Sequence, residues 1–313
     1  MTRVGVVGAT GAVGSVTLGL LAERGFENVR AFASSRSAGK HLPYRDRELL
    51  VEEATPENLS AGDLDLCFFS VGTDASRELV PQAAAGGTVC IDKSDAFRLA
   101  DGVPLVVAGV NDAALRRDDE VVANPNCSAI QLSCVLKPLH EAAGLASVRL
   151  ATYQSMSGIG DAGIERLRAT EPGDGDLAMD WDLEGEEFSE ESKLRAETRK
   201  ILDLPDLPLQ AQCVRVPVLV GHAQAIWVET AEPLSADDAR DVLGSAPHVE
   251  LEDFATPKDA AGRDQVLVGR IRPDTANSSG LALWSVNDNL RKGAALNAVQ
   301  IAESLLERRL VRA

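Results

Sequence analysis

Val4-Gly5-Val6-Val7-Gly8-Ala9-Thr10-Gly11-Ala12-Val13-Gly14 opens the chain as a short apolar strand, a glycine turn and the start of a helix. Its glycines recur at every third position from Gly8 to Gly14. Glycine at such positions permits a tight turn and lets the backbone approach a pyrophosphate at the helix N-terminus. After the first strand of a repeated strand–helix pattern, this loop predicts a dinucleotide site. The predicted contacts in the loop are Gly8, Thr10, Gly11, Ala12 and Val13.

Residues 1–125 alternate between strand and helix. The hydrophobic patterns predict strands at 3–7, 29–34, 65–71, 88–92, 103–108 and 120–123, and helices at 13–24 and 75–85. This alternation predicts an α/β fold, a Rossmann-type doubly wound parallel sheet with helices on both faces.

The regular alternation of strand and helix ends near Cys127. Strands are predicted at 147–155, 212–218, 223–230, 265–272 and 281–286, and helices at 193–202, 236–243 and 293–309. The acidic, glycine-rich stretch 170–191 is interpreted as a surface loop. We therefore expect an α+β catalytic domain with a mixed or antiparallel sheet. The predicted boundaries are 1–126 for the nucleotide-binding domain, 127–290 for the second domain, and 291–313 for a C-terminal helix returning to the first.

Composition narrows the possible partners. The 313 residues carry a net charge of −17, which argues against nucleic acid and anionic membranes as partners. No apolar run reaches the roughly 18 residues that a membrane helix needs, and Met1-Thr2-Arg3 leads directly into a strand without a signal peptide. The five cysteines form no CxxC pair, and four lie in apolar runs, which indicates buried, reduced thiols and a cytoplasmic protein.

The end of the second predicted strand distinguishes between dinucleotides. An NAD site usually has an acidic residue there to bind the ribose hydroxyls. Residues 33–40 contain no acid and instead offer Ser35, Arg36 and Ser37. A guanidinium and hydroxyls suit a 2′-phosphate, so this segment favours NADP. The alternative is an ordinary solvated loop with a surface arginine.

Asn124-Pro125-Asn126-Cys127-Ser128 places a thiol on a proline-stiffened turn, and a helical apolar run follows it. The positive end of a helix dipole stabilises a thiolate, which is the nucleophile of acyl chemistry. A thiolate combined with a nicotinamide predicts hydride transfer to or from a carbon held as a thioester.

Candidate partners for this thiolate lie farther along the chain. Arg215 and His222 flank a strand interrupted by Pro217 and Gly221, so a loop presents both side chains. An arginine in an otherwise apolar run needs a carboxylate, which a substrate can supply.

Two charged clusters add candidates. Lys93, Ser94 and Arg98 follow a predicted strand, at the edge where parallel sheets hold ligands, and suit an oxyanion. Glu190 and Lys193 share one helix face, an arrangement that a plain surface ion pair also explains.

Several motifs together resemble the aspartate-semialdehyde dehydrogenase family over nearly the whole chain. They are GATGAVG at 8–14, SRSAGK at 35–40, Ser94 with Ala96-Phe97-Arg98, NPNCS at 124–128, YQSMSG at 153–158, EESK at 190–193, Glu197-Thr198, CVRVP at 213–217, His222, DNLRKGAA at 288–295 and Asn297. The order and spacing of this set are highly specific.

The resemblance implies reductive dephosphorylation of L-aspartyl-4-phosphate by NADPH, in amino-acid biosynthesis, by a cytoplasmic homodimer or homotetramer without a metal. The implied catalytic residues are Cys127 as nucleophile, His222 as acid/base and Gln154 to orient the acyl group. The implied substrate residues are Arg215 for the α-carboxylate, Glu190 for the ammonium, Lys193 and Arg98 for phosphate, and also Ser94 and Asn126. Asn289 is expected near the nicotinamide, with Ser157 and Gly158 as further cofactor contacts.

The chain departs from the family pattern in three places. Asp95 replaces a serine, Gly109 replaces a glutamate, and the region 164–189 is shorter than usual and lacks an apolar Asn/Pro segment. These departures keep other readings open. They are an N-acetyl-glutamyl-phosphate reductase, a specialised paralogue acting on another acyl phosphate, and a catalytically silent NADP-binding regulatory homologue.

Overall fold

The computed structural model describes residues 1–170 and 178–311. The chain divides into two compact units, one formed by residues 1–125 with the C-terminal segment from Ala294, and the other by Asn126–Gly293. Within the described residues, no helix combines the length and apolar composition needed to cross a bilayer.

The first unit contains a seven-stranded sheet. Its strands lie in the order β3-β4-β2-β1-β5-β6-β7, and every neighbouring pair is parallel except β3 with β4. The predicted parallel α/β class is confirmed. The elements are β1 (Arg3–Val7), α1 (Ala12–Glu23), β2 (Asn28–Ala33), β3 (His41–Tyr44), β4 (Arg47–Glu53), α2 (Pro56–Leu59), β5 (Leu66–Phe69), α3 (Thr73–Ala85), β6 (Val89–Asp92) and β7 (Val121–Ala123).

The predicted strand at 103–108 is wrong. Only Leu105 forms an isolated bridge, to Ala123. At this bridge the Val106 N–H donates to the Ala123 carbonyl at 3.0 Å, and the Ala123 N–H donates to the Pro104 carbonyl at 2.9 Å. Side-chain amides bind further backbone groups of the segment. Asn111 accepts from the Val107 N–H at 2.8 Å and donates to the Leu105 carbonyl at 2.9 Å, and Asn297 binds the backbone of residues 106 and 108 in the same way. The hairpin of β3 and β4 was not predicted.

In the glycine loop between β1 and α1, backbone atoms pack closely against one another. Gly8 has φ +81°, which a side chain would strain. A Cβ added at Gly14 would lie 2.0 Å from the Gly8 carbonyl oxygen. The turn therefore requires glycine at both positions.

The second unit contains a six-stranded mixed sheet. Its order is β11-β8-β12-β15-β14-β13, antiparallel in the centre and parallel at both ends. This confirms the predicted mixed sheet. The elements are α4 (Cys127–Ala143), β8 (Leu145–Gln154), α5 (Asp161–Arg168), β9 (Leu183–Glu184), β10 (Glu187–Phe188), α6 (Ser189–Leu202), β11 (Leu209–Arg215), β12 (His222–Thr230), α7 (Ala236–Gly244), β13 (Val249–Leu251), α8 (Pro257–Ala260), β14 (Val266–Pro273) and β15 (Gly280–Asn287).

The predicted surface loop at 170–191 needs correction. Residues 171–177 lie outside the described part of the chain. The remainder holds the short hairpin of β9 and β10, and α6 begins at Ser189, four residues before the predicted start. The early start has a local cause, because the Glu191 carboxylate accepts from the Phe188 N–H at 2.9 Å.

The chain returns to the first unit through a π-helical turn at Arg291–Ala295 and the helix α9 (Leu296–Glu307). The predicted helix at 293–309 thus begins with a wider turn. The apolar face of α9 belongs to the core of the first unit, where α9 also packs against α1. Its fully buried side chains include Leu296, Val299, Ile301 and Leu305.

The glycine loop yields a stability prediction. Gly14→Ala should lower the free energy of unfolding by about 1–3 kcal/mol or more, because the new methyl group collides with backbone. Gly19→Ala is the matched control on the same helix, since a Cβ there meets nothing within 4 Å. It should stabilise the protein by roughly 0.5–1 kcal/mol. Urea unfolding measures both, and equal effects of the two substitutions would contradict the packing described.

Candidate active site

Asn126 ties the start of α4 to α6. Its side-chain oxygen caps α4 by accepting from the Ser128 N–H at 2.8 Å. Its amide nitrogen donates to Oε1 of Glu190 at 3.0 Å, and its backbone N–H donates to Oε2 of Glu197 at 2.6 Å. Cys127, the first residue of α4, is thereby held from two sides at the helix N-terminus and remains partly exposed.

His222 lies against this thiol. Its Nε2 is 3.1 Å from Sγ of Cys127, and its Nδ1 accepts from the Ser155 N–H at 3.0 Å. Because the backbone donor occupies Nδ1, we assign the ring proton to Nε2, facing the sulfur. Burial lowers the pKa of His222 to about 3, and the positive charge of Arg215 acts in the same direction. The imidazole is therefore neutral at ordinary pH and presents an N–H to the sulfur.

Asn289 organises the other side of the histidine. Its side-chain oxygen accepts from the Ser155 hydroxyl at 2.9 Å and from the Gly221 N–H at 2.8 Å, while its nitrogen donates to the Ser157 hydroxyl at 3.0 Å. The predicted residues Ser157 and Asn289 thus share one buried network with the catalytic candidate His222.

Gly158 permits close packing at the same place. A Cβ there would lie 3.0 Å from Nη1 of Arg215 and 3.3 Å from Cε1 of His222. The glycine leaves room for both side chains.

Gln154 and Glu190 form a second contact pair. Gln154, at the end of β8, donates from Nε2 to Oε1 of Glu190 at 2.8 Å and accepts from the Thr152 hydroxyl at 3.0 Å. Both residues are buried. In the described part of the chain no donor binds Oε2 of Glu190. Lys193, partly buried, lies one turn farther along α6.

Arg215, at the end of β11, is a buried cation with 2% of its surface exposed. Its Nη1 donates to the Ser155 carbonyl at 3.1 Å, and its Nε donates to Oδ1 of Asp180 at 3.0 Å. The Trp181 ring lies 4.7 Å from the guanidinium. Sequence reasoning missed Asp180 and Trp181 because they lie in an acidic stretch interpreted as loop, and a tryptophan in such a stretch was the available signal.

The predicted anion cluster belongs to the first unit. Nη2 and Nε of Arg98 donate to the backbone carbonyls of Lys93, at 2.7 Å, and Asn124, at 3.2 Å. The Ser94 hydroxyl donates to the buried Asp92 carboxylate at 2.6 Å. Asp95, the departure from the family pattern, accepts from the Thr73 hydroxyl at the start of α3. Its carboxylate is therefore directed to that helix.

Lys93 points to α1. Its Nζ donates to the buried Thr17 hydroxyl at 3.1 Å, and burial lowers the pKa of its ammonium to about 7. This cluster therefore includes an amine that is partly neutral near pH 7.

The first unit also fits a dinucleotide. Gly11 caps α1 without a side-chain hydrogen bond, which leaves the helix N-terminus open to an anion. The predicted contacts Gly8, Thr10, Gly11, Ala12 and Val13 lie in this loop or in the first helical turn. After β2, Ser35 and Arg36 are exposed and Ser37 is partly exposed, in a segment whose own residues 33–40 include no acid.

Two groups in the site were given no role from the sequence: Glu197, which was named only as part of a motif, and Asn287. Glu197 lies seven residues after Glu190, and this helical spacing placed it on the same buried face. Asn287 is opposite His222 in the sheet, fully buried, and its amide has no hydrogen-bond partner within the described residues.

Cys127 differs from the other four cysteines in burial, as expected from the sequence. Cys67, Cys90, Cys134 and Cys213 are buried, and burial raises the pKa of each thiol, that of Cys213 to about 12. Among residues 1–170 and 178–311, no three His, Cys, Asp or Glu side chains form a potential metal site.

Comparisons with known proteins cover both units. Residues 3–117 match the family model "Semialdehyde dehydrogenase, NAD binding domain", and residues 177–292 match "Semialdehyde dehydrogenase, dimerisation domain". The aspartate-semialdehyde dehydrogenase of Corynebacterium glutamicum is 42% identical, over 98% of this chain and 100% of the relative. That alignment has 349 positions against 313 residues here, so at least 36 positions of the relative have no counterpart.

Solved structures of aspartate-semialdehyde dehydrogenases are also similar to this chain over nearly its whole length. Aspartate semialdehyde dehydrogenase II of Vibrio cholerae, complexed with ASA, has a TM-score of 0.93 and 38% identity over 98% of both chains. The aspartate semialdehyde dehydrogenase of Candida albicans with NADP has a TM-score of 0.81 and 26% identity, over 99% of this chain and 100% of that chain.

Because His222 is buried in its neutral form, we expect the free energy of unfolding to fall in acid. The pKa of His222 is about 3 in the folded protein against 6.5 for a free histidine. Between these values the unfolded chain binds more protons, so stability falls as the pH drops from 6.5 towards 3. His222 changes the free energy of unfolding by at most about 1.4 kcal/mol per pH unit in this range.

Urea unfolding between pH 4 and 7 measures this slope. His222→Asn should flatten it, whereas His41→Asn, at an exposed position, should leave it unchanged. Identical pH profiles for the wild type and His222→Asn would refute a buried neutral imidazole.

Proposed function

The chain belongs to the aspartate-semialdehyde dehydrogenase family. From that membership we propose a role for each of its site residues in the reduction of L-aspartyl-4-phosphate to L-aspartate 4-semialdehyde with NADPH. The observation that carries the proposal is the 3.1 Å contact between Sγ of Cys127 and Nε2 of His222, with Nδ1 held by the Ser155 N–H. A thiol at a helix N-terminus beside a fixed imidazole N–H is equipped for acyl transfer.

Cys127 is the proposed nucleophile. Its sulfur attacks the acyl carbon, the carbon–sulfur bond forms, and phosphate leaves with the electrons of the carbon–oxygen bond. The resulting thioester keeps the acyl group at the start of α4. His222 is the proposed acid/base, and its Nε2–H is placed to stabilise or protonate an oxygen on that carbon. Gln154, held by Glu190 and Thr152, orients the acyl group.

Two opposite charges recognise the amino-acid end of the substrate. Arg215 binds the α-carboxylate, and Glu190 binds the ammonium, since no donor occupies its Oε2 among the described residues. Lys193, Arg98, Ser94 and Asn126 complete the proposed substrate set. Glu190 favours a free amine over an acetylated one, because an amide does not need a carboxylate partner.

NADP is the proposed cofactor. When bound, it supplies hydride chemistry. The loop residues Gly8, Thr10, Gly11, Ala12 and Val13 are proposed to hold the pyrophosphate, and Ser35, Arg36 and Ser37 the 2′-phosphate. Ser157, Gly158 and Asn289 are the proposed contacts near the nicotinamide. The open N-terminus of α1 and the exposed Arg36 support this assignment.

We also propose the roles of the domains and the place where the enzyme works. Residues 1–126 would form the NADP-binding domain, 127–290 the catalytic and dimerisation domain, and 291–313 the returning helix. Reduced thiols favour the cytoplasm.

The match to a dimerisation domain indicates an oligomer, and we propose a homodimer through the outer face of the six-stranded sheet. Arg149, Gln210 and Trp227 lie side by side there, next to a cavity of about 500 Å³, and 37% of the Trp227 surface is exposed.

The test is oxidation of aspartate semialdehyde with NADP, followed as NADPH absorbance with and without inorganic phosphate. The wild type should require phosphate, and Cys127→Ala should lose at least about 1,000-fold in kcat because the covalent step is removed. Turnover that is independent of phosphate would exclude the proposed reaction, and no turnover with any acyl phosphate would favour a silent homologue.

Glu190→Gln in the same assay separates the substrate classes. It should raise KM for the free amino acid aldehyde, whereas the N-acetyl-glutamate aldehyde should remain a poor substrate. Preference of the wild type for the acetylated aldehyde would favour the reductase alternative.

The interface assignment predicts a change of mass. Trp227→Glu should convert the dimer to a monomer in sedimentation equilibrium, because it buries a charge in the interface. Trp227→Phe should remain a dimer, and an unchanged mass for Trp227→Glu would place the interface elsewhere.

A further inference from the structure

We propose that Asp180 and Trp181 are positioning residues that fix the Arg215 guanidinium for the carboxylate of an α-amino-acid substrate. The inference rests on the proposed function, because it assigns Arg215 to that carboxylate. It extends the substrate site to the segment before β9 that contains Asp180 and Trp181.

The segment is attached to the end of β11 by its backbone. The Ala178 N–H donates to the Arg215 carbonyl at 2.9 Å, and the Arg215 N–H donates to the Ala178 carbonyl at 2.8 Å. Two residues later, the Asp180 carboxylate binds the side chain of the same arginine. Arg215 is therefore held by one short segment through both its main chain and its side chain.

Three contacts restrict the guanidinium. Asp180 accepts from Nε, the Ser155 carbonyl accepts from Nη1, and the Trp181 ring covers one face at 4.7 Å. Rotating the side chain would break these contacts together. Within the described residues Nη2 donates no hydrogen bond, so the fixed fork keeps donors for one further carboxylate.

The charges agree with this role. A buried guanidinium is costly without a counter-ion, and Asp180 supplies one before any substrate arrives. The other Asp180 oxygen lies 3.8 Å from the exposed Arg166 guanidinium. Trp181 is itself steadied by Phe188, with ring centroids 6.5 Å apart. Asp180 and Trp181 are thus part of an anchored segment.

The experiment uses the full-length enzyme and two aldehydes, aspartate semialdehyde and 3-aminopropanal, which lacks the α-carboxylate. Asp180→Ala should raise KM for aspartate semialdehyde about tenfold and leave kcat within about twofold, since one charge-assisted hydrogen bond is lost. Its kcat/KM for 3-aminopropanal should not change. Asp180→Asn keeps an acceptor for Nε and should restore most of the affinity.

The ring has its own pair of variants. Trp181→Ala should raise KM for aspartate semialdehyde about three- to fivefold through loss of the cation–π contact, whereas Trp181→Phe should stay close to wild type. Asp182→Ala is the matched control. Among residues 1–170 and 178–311, this exposed neighbour makes its hydrogen bond through the main-chain carbonyl, which accepts from the Ser189 N–H. In an Arg215→Lys background, Asp180→Ala should add no further loss.

The outcomes separate this inference from the proposed function. Lack of wild-type turnover overturns the proposed function. A wild type that turns over, with KM unchanged in both Asp180→Ala and Trp181→Ala, overturns the positioning role. Equal losses on both aldehydes would also overturn it, because a merely structural defect affects them alike. If Asp180→Ala does not fold, Trp181→Ala and Trp181→Phe test the positioning role by the same criteria.

Discussion

The position of the nucleophile depends on two carboxylates of one helix. Glu190 and Glu197, seven residues apart on α6, hold the side chain and the backbone of Asn126. Asn126 in turn caps the helix that Cys127 begins. The carboxylate proposed to bind the substrate ammonium is thus also part of the support of the sulfur. Recognition and reaction are coupled by a few hydrogen bonds between α4 and α6.

Burial decides the chemical state of the second reacting group. A backbone N–H occupies Nδ1 of His222, and burial and the charge of Arg215 oppose a second proton. The ring meets Cys127 as a neutral donor. The network of Ser155, Ser157 and Asn289 behind it fixes this orientation without adding charge.

Periodicity and turn chemistry predicted the parallel and mixed sheets, because glycine spacing and apolar alternation are local signals. They failed at 103–108, where the pairing with β7 is a single bridge and Asn111 and Asn297 bind other backbone groups. A contact from Asn297, almost 190 residues away, leaves no local signal. Cys127, Gln154, Glu190, Arg215 and His222 were named from motifs, and the structure brings them together. Asp180 was not named, because its role arises only where the chain bridges to β11.

The core of the amino-terminal unit is closed by α9, whose residues follow the whole second unit in the chain. All of Asn126–Gly293 is synthesised before that helix exists, and at 5–20 residues per second this takes roughly 10–30 seconds. During that time the surface that Leu296, Val299 and Ile301 later cover is open to solvent. Folding during translation is therefore discontinuous: the core that residues 1–125 begin is completed only after Asn126–Gly293 has been synthesised.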